Sequence, residues 1–412
     1  MRFLYTIGIH LYGFVAIIAS LFSEKARFFV NGRKKWYKNL QNNFVSGDSK
    51  VIWMHVSSLG EFEQGRPLLE RIKSELQDFK IVLTFFSPSG YEIRKNYAQA
   101  DYVCYLPLDT PGNAKRFLKY VKPSYSVFVK YDFWFNYILQ AKKLGSNIIL
   151  ISGLFRDKQM FFKSFGTWYM KQLQNFNHLF LQDEQSEKLL HSIQIKNTTV
   201  CGDSRMDRVI EIARQKKDFE LIEKFSTESF IIVCGSTWPP DENLLFEYLQ
   251  KSQHSFKLII APHDISESHL KGIEEHAPEK CLRYSKANDE NIQETKILVI
   301  DSIGMLSSLY HYGKIAYIGG GFGVSIHNTL EPAVYGIPVI FGPKYQKFKE
   351  AVDMIASEGA FTISSYQELE NILNRLLSNF NLLNQSGDNA KDYIYKMSGA
   401  TGTIFDYIAM HL

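Results

Sequence analysis

Apolar residues recur along this chain in short runs, each closed by small or turn-forming residues and followed by a stretch with helical spacing. Residues 51–57 (VIWMHVS) form the first run. Ser58-Leu59-Gly60-Glu61 reads as a turn, and residues 62–76 space their apolar positions as a helix does. Residues 80–86 are a second run, closed by Ser87-Pro88-Ser89-Gly90 and followed by another helical stretch. Runs at 102–106, 125–129 and 147–152 continue the alternation. Strands alternating with helices predict βαβ units on a parallel sheet. The pattern restarts at 230–234, with a turn at Gly235-Ser236-Thr237 and a helix over 241–250. Runs at 257–261, 297–300, 315–318 and 339–341 predict a second sheet. The charged stretch 205–224 lies between the halves and reads as a hinge. Two similar α/β halves predict a cleft to which each contributes the C-terminal ends of its strands.

The richest stretch is residues 317–343, YIGGGFGVSIHNTLEPAVYGIPVIFGP. Its apolar run ends in Gly319, Gly320 and Gly321. Glu331-Pro332 then opens a short segment, and residues 336–340 begin another apolar run. This predicts strand, Gly-rich loop, short helix, strand. Glycines after a strand let backbone N–H groups approach a phosphate, and a helix N-terminus favours its charge. A carboxylate about one turn into that helix, Glu331, can accept hydrogen bonds from a ribose diol. The arrangement suits a nucleotide-activated donor and points to glycosyl transfer.

The N-terminus changes the picture. Residues 3–22 carry no formal charge apart from one that His10 can take up. About twenty apolar residues just span a bilayer. Lys25, Arg27, Arg33, Lys34, Lys35 and Lys38 follow, against Glu24 alone. By the positive-inside rule that flank, and the chain after it, stays cytoplasmic. Gly8, His10, Tyr12 and Gly13 weaken the span, so it either crosses the membrane or lies in its interface. A helix packed on the domain is the alternative. Phe28, Phe29, Trp36 and Tyr37 are candidates to enter the interface.

A length of 412 residues favours two domains. Hydrophobic content of 45% with 22% charge is that of a folded globular protein. The net charge of +4, with no zinc-finger or RNP-like motif, gives no reason to expect nucleic acid. Cys104, Cys201, Cys234 and Cys281 include no CxxC pair and read as reduced, buried thiols. There is no D-x-D, no Cys/His cluster and no P-loop, so no metal and no cofactor is expected.

Three ordered motifs resemble those of the transferases that move 3-deoxy-D-manno-octulosonic acid (Kdo) from CMP-Kdo to the lipid A precursor. They are His55-Val56-Ser57-Ser58-Leu59-Gly60-Glu61, Gly235-Ser236-Thr237 with Asp241 and Glu242, and the Gly-rich block ending His327-Asn328-Thr329-Leu330-Glu331-Pro332. Their order and separations also fit, and the resemblance covers roughly the first 400 residues. It implies a GT-B fold, with acceptor bound by the first Rossmann-like domain and nucleotide by the second. The expected segments are a membrane-associated helix at 1–22, the first domain at 23–204, the hinge at 205–224 and the second domain at 225–412, whose last helix is free to pack back on the first.

The resemblance also assigns roles. Position alone would let Glu61 serve as a first-turn carboxylate on a helix dipole; the family match makes it the general base, taking the proton of the acceptor hydroxyl. Arg205 resembles a residue that stabilises the transition state, with a hinge ion pair as the alternative. Asp132, or Lys130, fills a companion role. CMP contacts fall to Gly235, Ser236, Thr237, Pro262, His263, Ile303, Gly304, Met305, Gly320, Gly321, Asn328, Thr329, Leu330 and Glu331. Several positions depart from the family pattern. Lys130 and Asp132 stand for two glutamates, His263 for an arginine and Met305 for a glutamate. Arg66, Arg94 and Lys95 are candidates for lipid A phosphates or, equally, solvated helix faces. The implied partners are CMP-Kdo, the lipid A precursor and the anionic inner-membrane surface. A UDP-sugar transferase, a UDP-sugar 2-epimerase and a catalytically silent sugar-nucleotide-binding protein are the rival readings.

Overall fold

The computed structural model describes residues 1–411. It divides into two compact units. The first is Met1–Asp207 together with the chain from Met397 onward; the second is Arg208–Lys396. The helix Ser204–Arg214 carries the chain from one to the other, and Glu220–Ser226 is helical too, so the stretch read as a hinge is mostly regular structure.

In the first unit three helices, α1 (Arg2–Ala19), α2 (Glu24–Asn31) and α3 (Trp36–Asn43), precede the sheet. Its strands are β1 (Lys50–Val56), β2 (Phe79–Phe85), β3 (Tyr102–Tyr105), β4 (Tyr125–Val129), β5 (Asn147–Gly153), β6 (His178–Leu181) and β7 (Thr198–Val200). All pair in parallel, in the order β3-β2-β1-β4-β5-β6-β7. Residues alternate between the two faces of a strand. Val51 and Trp53 therefore enter one apolar cluster, while Ile52, Met54 and Val56 enter the other. The second cluster is covered by α4 (Leu59–Glu75), through Phe62, Leu68, Leu69 and Ile72, and by the last helix, Ala400–Met410, through Ile404, Phe405 and Ile408. Asp207 fixes that last helix by accepting the backbone N–H groups of Gly399 and Thr401 at 2.6 and 2.7 Å.

The second unit repeats the plan. Its strands are β8 (Ile231–Thr237), β9 (Lys257–Pro262), β10 (Cys281–Arg283), β11 (Ile297–Val299), β12 (Ile315–Ile318), β13 (Val339–Phe341) and β14 (Ala360–Thr362). They form a parallel sheet in the order β10-β11-β9-β8-β12-β13-β14. The strands β6, β7, β10 and β14 are additions to the sequence reading. Each is three or four residues long and includes a polar residue, His178, Thr198, Arg283 or Thr362, so no clear apolar run announces it.

Helix α1 docks on the first unit through a narrow seam. Tyr5, Thr6, Ile9 and Ala16 are half-buried, and Gly13 is buried, where a Cβ would lie 2.6 Å from Leu108. Tyr5 donates from Oη to Asp109 at 2.6 Å and meets the Phe135 ring edge-on at 5.0 Å. Asp109 also accepts the N–H groups of Asn136 and Tyr137, in the first turn of the helix Phe135–Lys143. A buried carboxylate is tolerable only with donors of this kind. The opposite face of α1 exposes Phe3, Ile7, Leu11, Phe14 and Ile18. Arg33, expected in the basic flank, instead turns inward. It donates to the carbonyls of Phe29, Phe86 and Leu106 and lies over the rings of Phe29, Phe86 and Tyr105. Phe29 is buried and so is not presented to an interface, and Trp36 is half-buried beside Phe117.

The Tyr5–Asp109 bond predicts that Tyr5→Phe loosens α1 without unfolding the sheet. The expected loss is about 1–3 kcal/mol, that of a buried hydrogen bond to a carboxylate. Amide exchange over residues 2–13 should speed up while that of β1 and β4 is unchanged.

Candidate active site

In each sheet the strand order reverses once beside its first strand. β2 and β3 lie on one side of β1 while β4 and its successors lie on the other; β8 has β9–β11 on one side and β12–β14 on the other. The crevice outside the strand ends at such a reversal is where doubly wound proteins bind ligands. The sequence-nominated residues fall there in both units. Glu61 follows β1 and Asp132 follows β4. Gly235, Ser236 and Thr237 end β8, Gly320 and Gly321 follow β12, and Pro262 ends β9 with His263 next after it.

In the first unit Glu61 lies in the first turn of α4 and accepts a hydrogen bond from Ser58 Oγ, one turn back. Asp132 is 8% exposed and accepts from Ser57 Oγ. Burial, and then the nearby charge of Glu61, raises its pKa to about 8. The preceding Lys130 holds φ at +63°, a conformation that costs a non-glycine residue about 1–3 kcal/mol. Arg205 forks onto Asp203 from Nε and Nη2, at 3.0 and 2.7 Å. Burial alone would raise the pKa of Asp203; the guanidinium outweighs it and holds the carboxyl below its usual range. Asp203 also accepts from Gln64 on α4, and Ser204 Oγ donates to the Gln64 carbonyl, which ties the Arg205 segment to the helix that carries Glu61. Glu61, Asp132 and Arg205 therefore share one end of one sheet. Arg66, Arg94 and Lys95 pair with Glu63, Glu70 and Glu92 instead.

The second unit corrects one expectation. The Gly319 N–H donates to the Gly235 carbonyl at 2.9 Å, and the Gly320 N–H to Asp241 at 3.0 Å, so neither is directed at a phosphate. A Cβ on Gly319 would lie 2.3 Å from the Ser236 carbonyl oxygen, and Gly320 has φ +89°. Gly319 lets the backbone after β12 close on the end of β8, and Gly320 lets its loop turn back against Ser325 and His327. Asp241 holds the junction, accepting also from Tyr317 Oη and the Trp238 N–H. The segment read as a turn, Gly235-Ser236-Thr237, continues β8 with an irregular register and φ +54° at Ser236.

Beside this junction three rings stack. His263 lies 4.8 Å from Trp238 and 4.4 Å from His327, nearly parallel to both, and Trp238 Nε1 donates to His327 Nε2 at 3.3 Å. Asn328 donates to Glu331 at 2.9 Å and accepts from the Leu330 N–H, with Thr329 buried between. Burial raises the Glu331 pKa. Ile303 and Gly304 are exposed in the loop after β11, and Met305 Sδ accepts from Ser302. Among the described residues no group of three or more His, Cys, Asp or Glu side chains is placed to hold a metal ion. Trp238, Asp203 and the partnership of His55 with Asp132 are not evident from sequence. All lie within or beside the quoted motifs, but only the fold puts them in contact.

Two doubly wound parallel sheets with candidate residues at each reversal define an α/β protein of the GT-B fold. A UDP-GlcNAc 2-epimerase from Neisseria meningitidis bound to UDP-GlcNAc covers 88% of this chain and 100% of its own, with a TM-score of 0.60 at 15% identity. Acinetobacter baumannii MurG covers 88% of this chain and 99% of its own, with a TM-score of 0.56 at 13% identity. At such identities the likeness is one of fold. Sequence gives the family. The family described as 3-deoxy-D-manno-octulosonic-acid transferase (kdotransferase) matches residues 30–208. The 3-deoxy-D-manno-octulosonic acid transferase of Aquifex aeolicus is 30% identical over 336 residues, covering 80% of this chain and 86% of its own. That of Chlamydia trachomatis is 27% identical over 358 residues, covering 82% and 81%. The chain belongs to the 3-deoxy-D-manno-octulosonic acid transferase family, and is a glycosyltransferase.

The buried Asp132 predicts a pH dependence of stability. Its folded pKa, about 8, lies above the unfolded value of about 4. Between the two the native chain binds the extra proton, so its stability falls as pH rises through that window, by at most about 1.4 kcal/mol per unit. Asp132→Asn removes this slope. The thermal midpoint of the variant should gain on that of the wild type steadily from pH 5 to pH 8.

Proposed function

We propose that this chain transfers Kdo from CMP-Kdo to the lipid A precursor with inversion, and that Glu61 is the general base. The observation that carries the reading is the placement of Glu61 on the first turn of α4, at the reversal of the first sheet and beside Asp132. An acceptor hydroxyl is a weak nucleophile until its proton is leaving. Glu61 takes that proton while the hydroxyl oxygen bonds to the anomeric carbon. The bond from that carbon to the CMP phosphate oxygen breaks, and CMP leaves with the electron pair. Charge develops on the departing phosphate, which is where donors have most effect; Arg205 is assigned there. In the second unit Glu331, oriented by Asn328, takes the ribose diol, and the ring stack with His263 lies toward the phosphate. His263 replaces the arginine of the family pattern, so this contact is weaker here. The reaction uses side chains only, with no metal.

Helix α1 supports membrane attachment. Its docked seam runs from Tyr5 to Ala16, so a perpendicular crossing would draw the first unit into hydrocarbon; α1 lies in the interface plane with its apolar face in the lipid. The basic flank attracts an anionic surface by about 1 kcal/mol per Lys or Arg near it. Both features support a reading of the enzyme as attached to the cytoplasmic face of the inner membrane.

The central test is transfer from CMP-Kdo generated in situ to detergent-dispersed lipid A precursor, read by mass. Wild type should add Kdo. Glu61→Gln should lower kcat by about 10²- to 10⁴-fold, the usual contribution of a positioned base, with CMP binding retained. Wild-type inactivity together with preferential UDP binding would turn the reading toward a UDP-sugar enzyme. For the membrane, Leu11→Asp with Phe14→Asp should abolish sedimentation with anionic vesicles and leave activity on dispersed acceptor intact. Unchanged sedimentation would remove α1 from the attachment.

A further inference from the structure

His55 is a polar residue inside β1, with no exposed surface. Its Nδ1 lies 2.8 Å from Thr84 Oγ1 on β2. Its Nε2 has no hydrogen-bond partner, and neither has Asp132 Oδ2; the two atoms are 3.8 Å apart. A small side-chain rotation closes that gap to a hydrogen bond. The rings of Trp53, Phe128 and Trp134, with centroids at 6.2–6.3 Å, wall the imidazole.

The frame around Thr84 has a place for the proton on Nδ1. Trp53 Nε1 can only donate, and it donates to Thr84 Oγ1 at 2.8 Å. The Thr84 hydroxyl in turn donates to the Met54 carbonyl, at 3.4 Å. One lone pair of Thr84 is left, and it faces Nδ1. With Nδ1–H donating there, every group of the frame is satisfied at once. Nε2 is then bare and aimed at Asp132. A bare nitrogen accepts from a carboxylic acid and repels a carboxylate. Protonating the ring would remove the conflict, but burial, and then the charge of Arg33, lowers the His55 pKa to about 3.

We propose that His55 is a positioning residue for the transfer reaction: its bare Nε2 holds Asp132 as a protonated acid beside Glu61, the base. This rests on the reading of Glu61 as base. Hydrogen bonding to the neutral form of an acid adds to burial in resisting its ionisation, and environments that separate two carboxyls divide their labour. The groups that act electrostatically on the pair are Glu61, on Asp132, and Arg33, on His55. Ser57 donates to the other oxygen of Asp132, Oδ1, which favours the ionised form and works against burial and the Glu61 charge. Were Asp132 ionised, a second anion would face the incoming donor, whose phosphate and sugar carboxylate are already negative.

Two measurements test this on the full-length protein. The first is the ¹⁵N spectrum of labelled histidine, with the His55 signals assigned by their loss in His55→Phe. A neutral Nδ1–H tautomer at pH 7 is expected; a neutral Nε2–H tautomer, or a cation, would overturn the proposal. The second is the pH profile of kcat/KM, with the Asp132 carboxylic-acid infrared band followed in parallel. In His55→Phe both the alkaline limb and the disappearance of that band should move down by about one pH unit, the equivalent of one lost hydrogen bond. Thr84→Val, which releases the tautomer while keeping the side-chain volume, should move both the same way, and it decides the matter if His55→Phe does not fold. Midpoints unmoved in the folded variant would refute the role. The tautomer and the infrared midpoint need no turnover. If they behave as expected while no Kdo is transferred, the function fails and the pair stands.

Discussion

A parallel strand buried on both faces commits all its side chains to packing, so chemistry is confined to the residues beyond its C-terminal end. β1 shows the constraint. Every residue from Val51 to Val56 is buried, and the first with any freedom are Ser57, Ser58 and Glu61. β12 shows it again, with four buried residues followed at once by Gly319 and Gly320. The strand order then decides which ends become neighbours. Because β1 pairs with β4 and β8 with β12, segments distant in sequence, Glu61 with Asp132 and Thr237 with Gly320, are brought together by the sheets themselves. Left-handed backbone at Lys130 and Ser236, one beside each reversal, marks where the chain is bent to bring this about.

The buried acids divide by how they are satisfied. Asp109 has three donors, Asp241 has three, and Asp203 has the Arg205 fork together with Gln64 and Gln182. Those carboxyls act as struts. They join α1 to the helix Phe135–Lys143, β8 to β12, and α4 to the Arg205 segment. Asp132 is different, with Ser57 alone as its donor residue and no partner on Oδ2. A polar atom left unsatisfied in a dry interior costs about 1–3 kcal/mol. Packing would be expected to remove such a site unless chemistry keeps it, and it lies beside the residue read as base.

Much of this was legible in the sequence. The long strands announced themselves by apolar runs, and the two sheets by the restart near residue 230. Glu61 could be placed because a strand, a turn and a helix start are local features. The errors came where a residue type admits two physical uses. Three glycines after a strand suit a phosphate, but they equally allow backbone to pack closely, and that is how Gly319, against Ser236, and Gly320, against Ser325, are used. A basic flank after an apolar helix suits a membrane, yet Arg33 spends its charge on three carbonyls and three rings. His55 read as one residue of a strand. Its meaning depends on Thr84 and Asp132, both distant along the chain, and on pairings that only the sheet supplies.

Helix α1 shows how far pattern alone can go. A surface helix of a water-soluble domain turns its apolar stripe inward. Here the stripe of Phe3, Ile7, Leu11, Phe14 and Ile18 faces out, while Tyr5, Thr6, Ile9, Gly13 and Ala16 make the seam, small or polar but for Ile9. Small and polar residues are a poor choice for gaining hydrophobic energy, but they allow close approach and directional bonds. The Tyr5 hydroxyl on Asp109 and the Arg2 guanidinium on Asn136 supply those bonds. Hydropathy records that the helix is apolar, which both a spanning and a lying helix would be. What the structure adds is the side on which its few polar residues fall, and the buried acid of the domain that meets one of them.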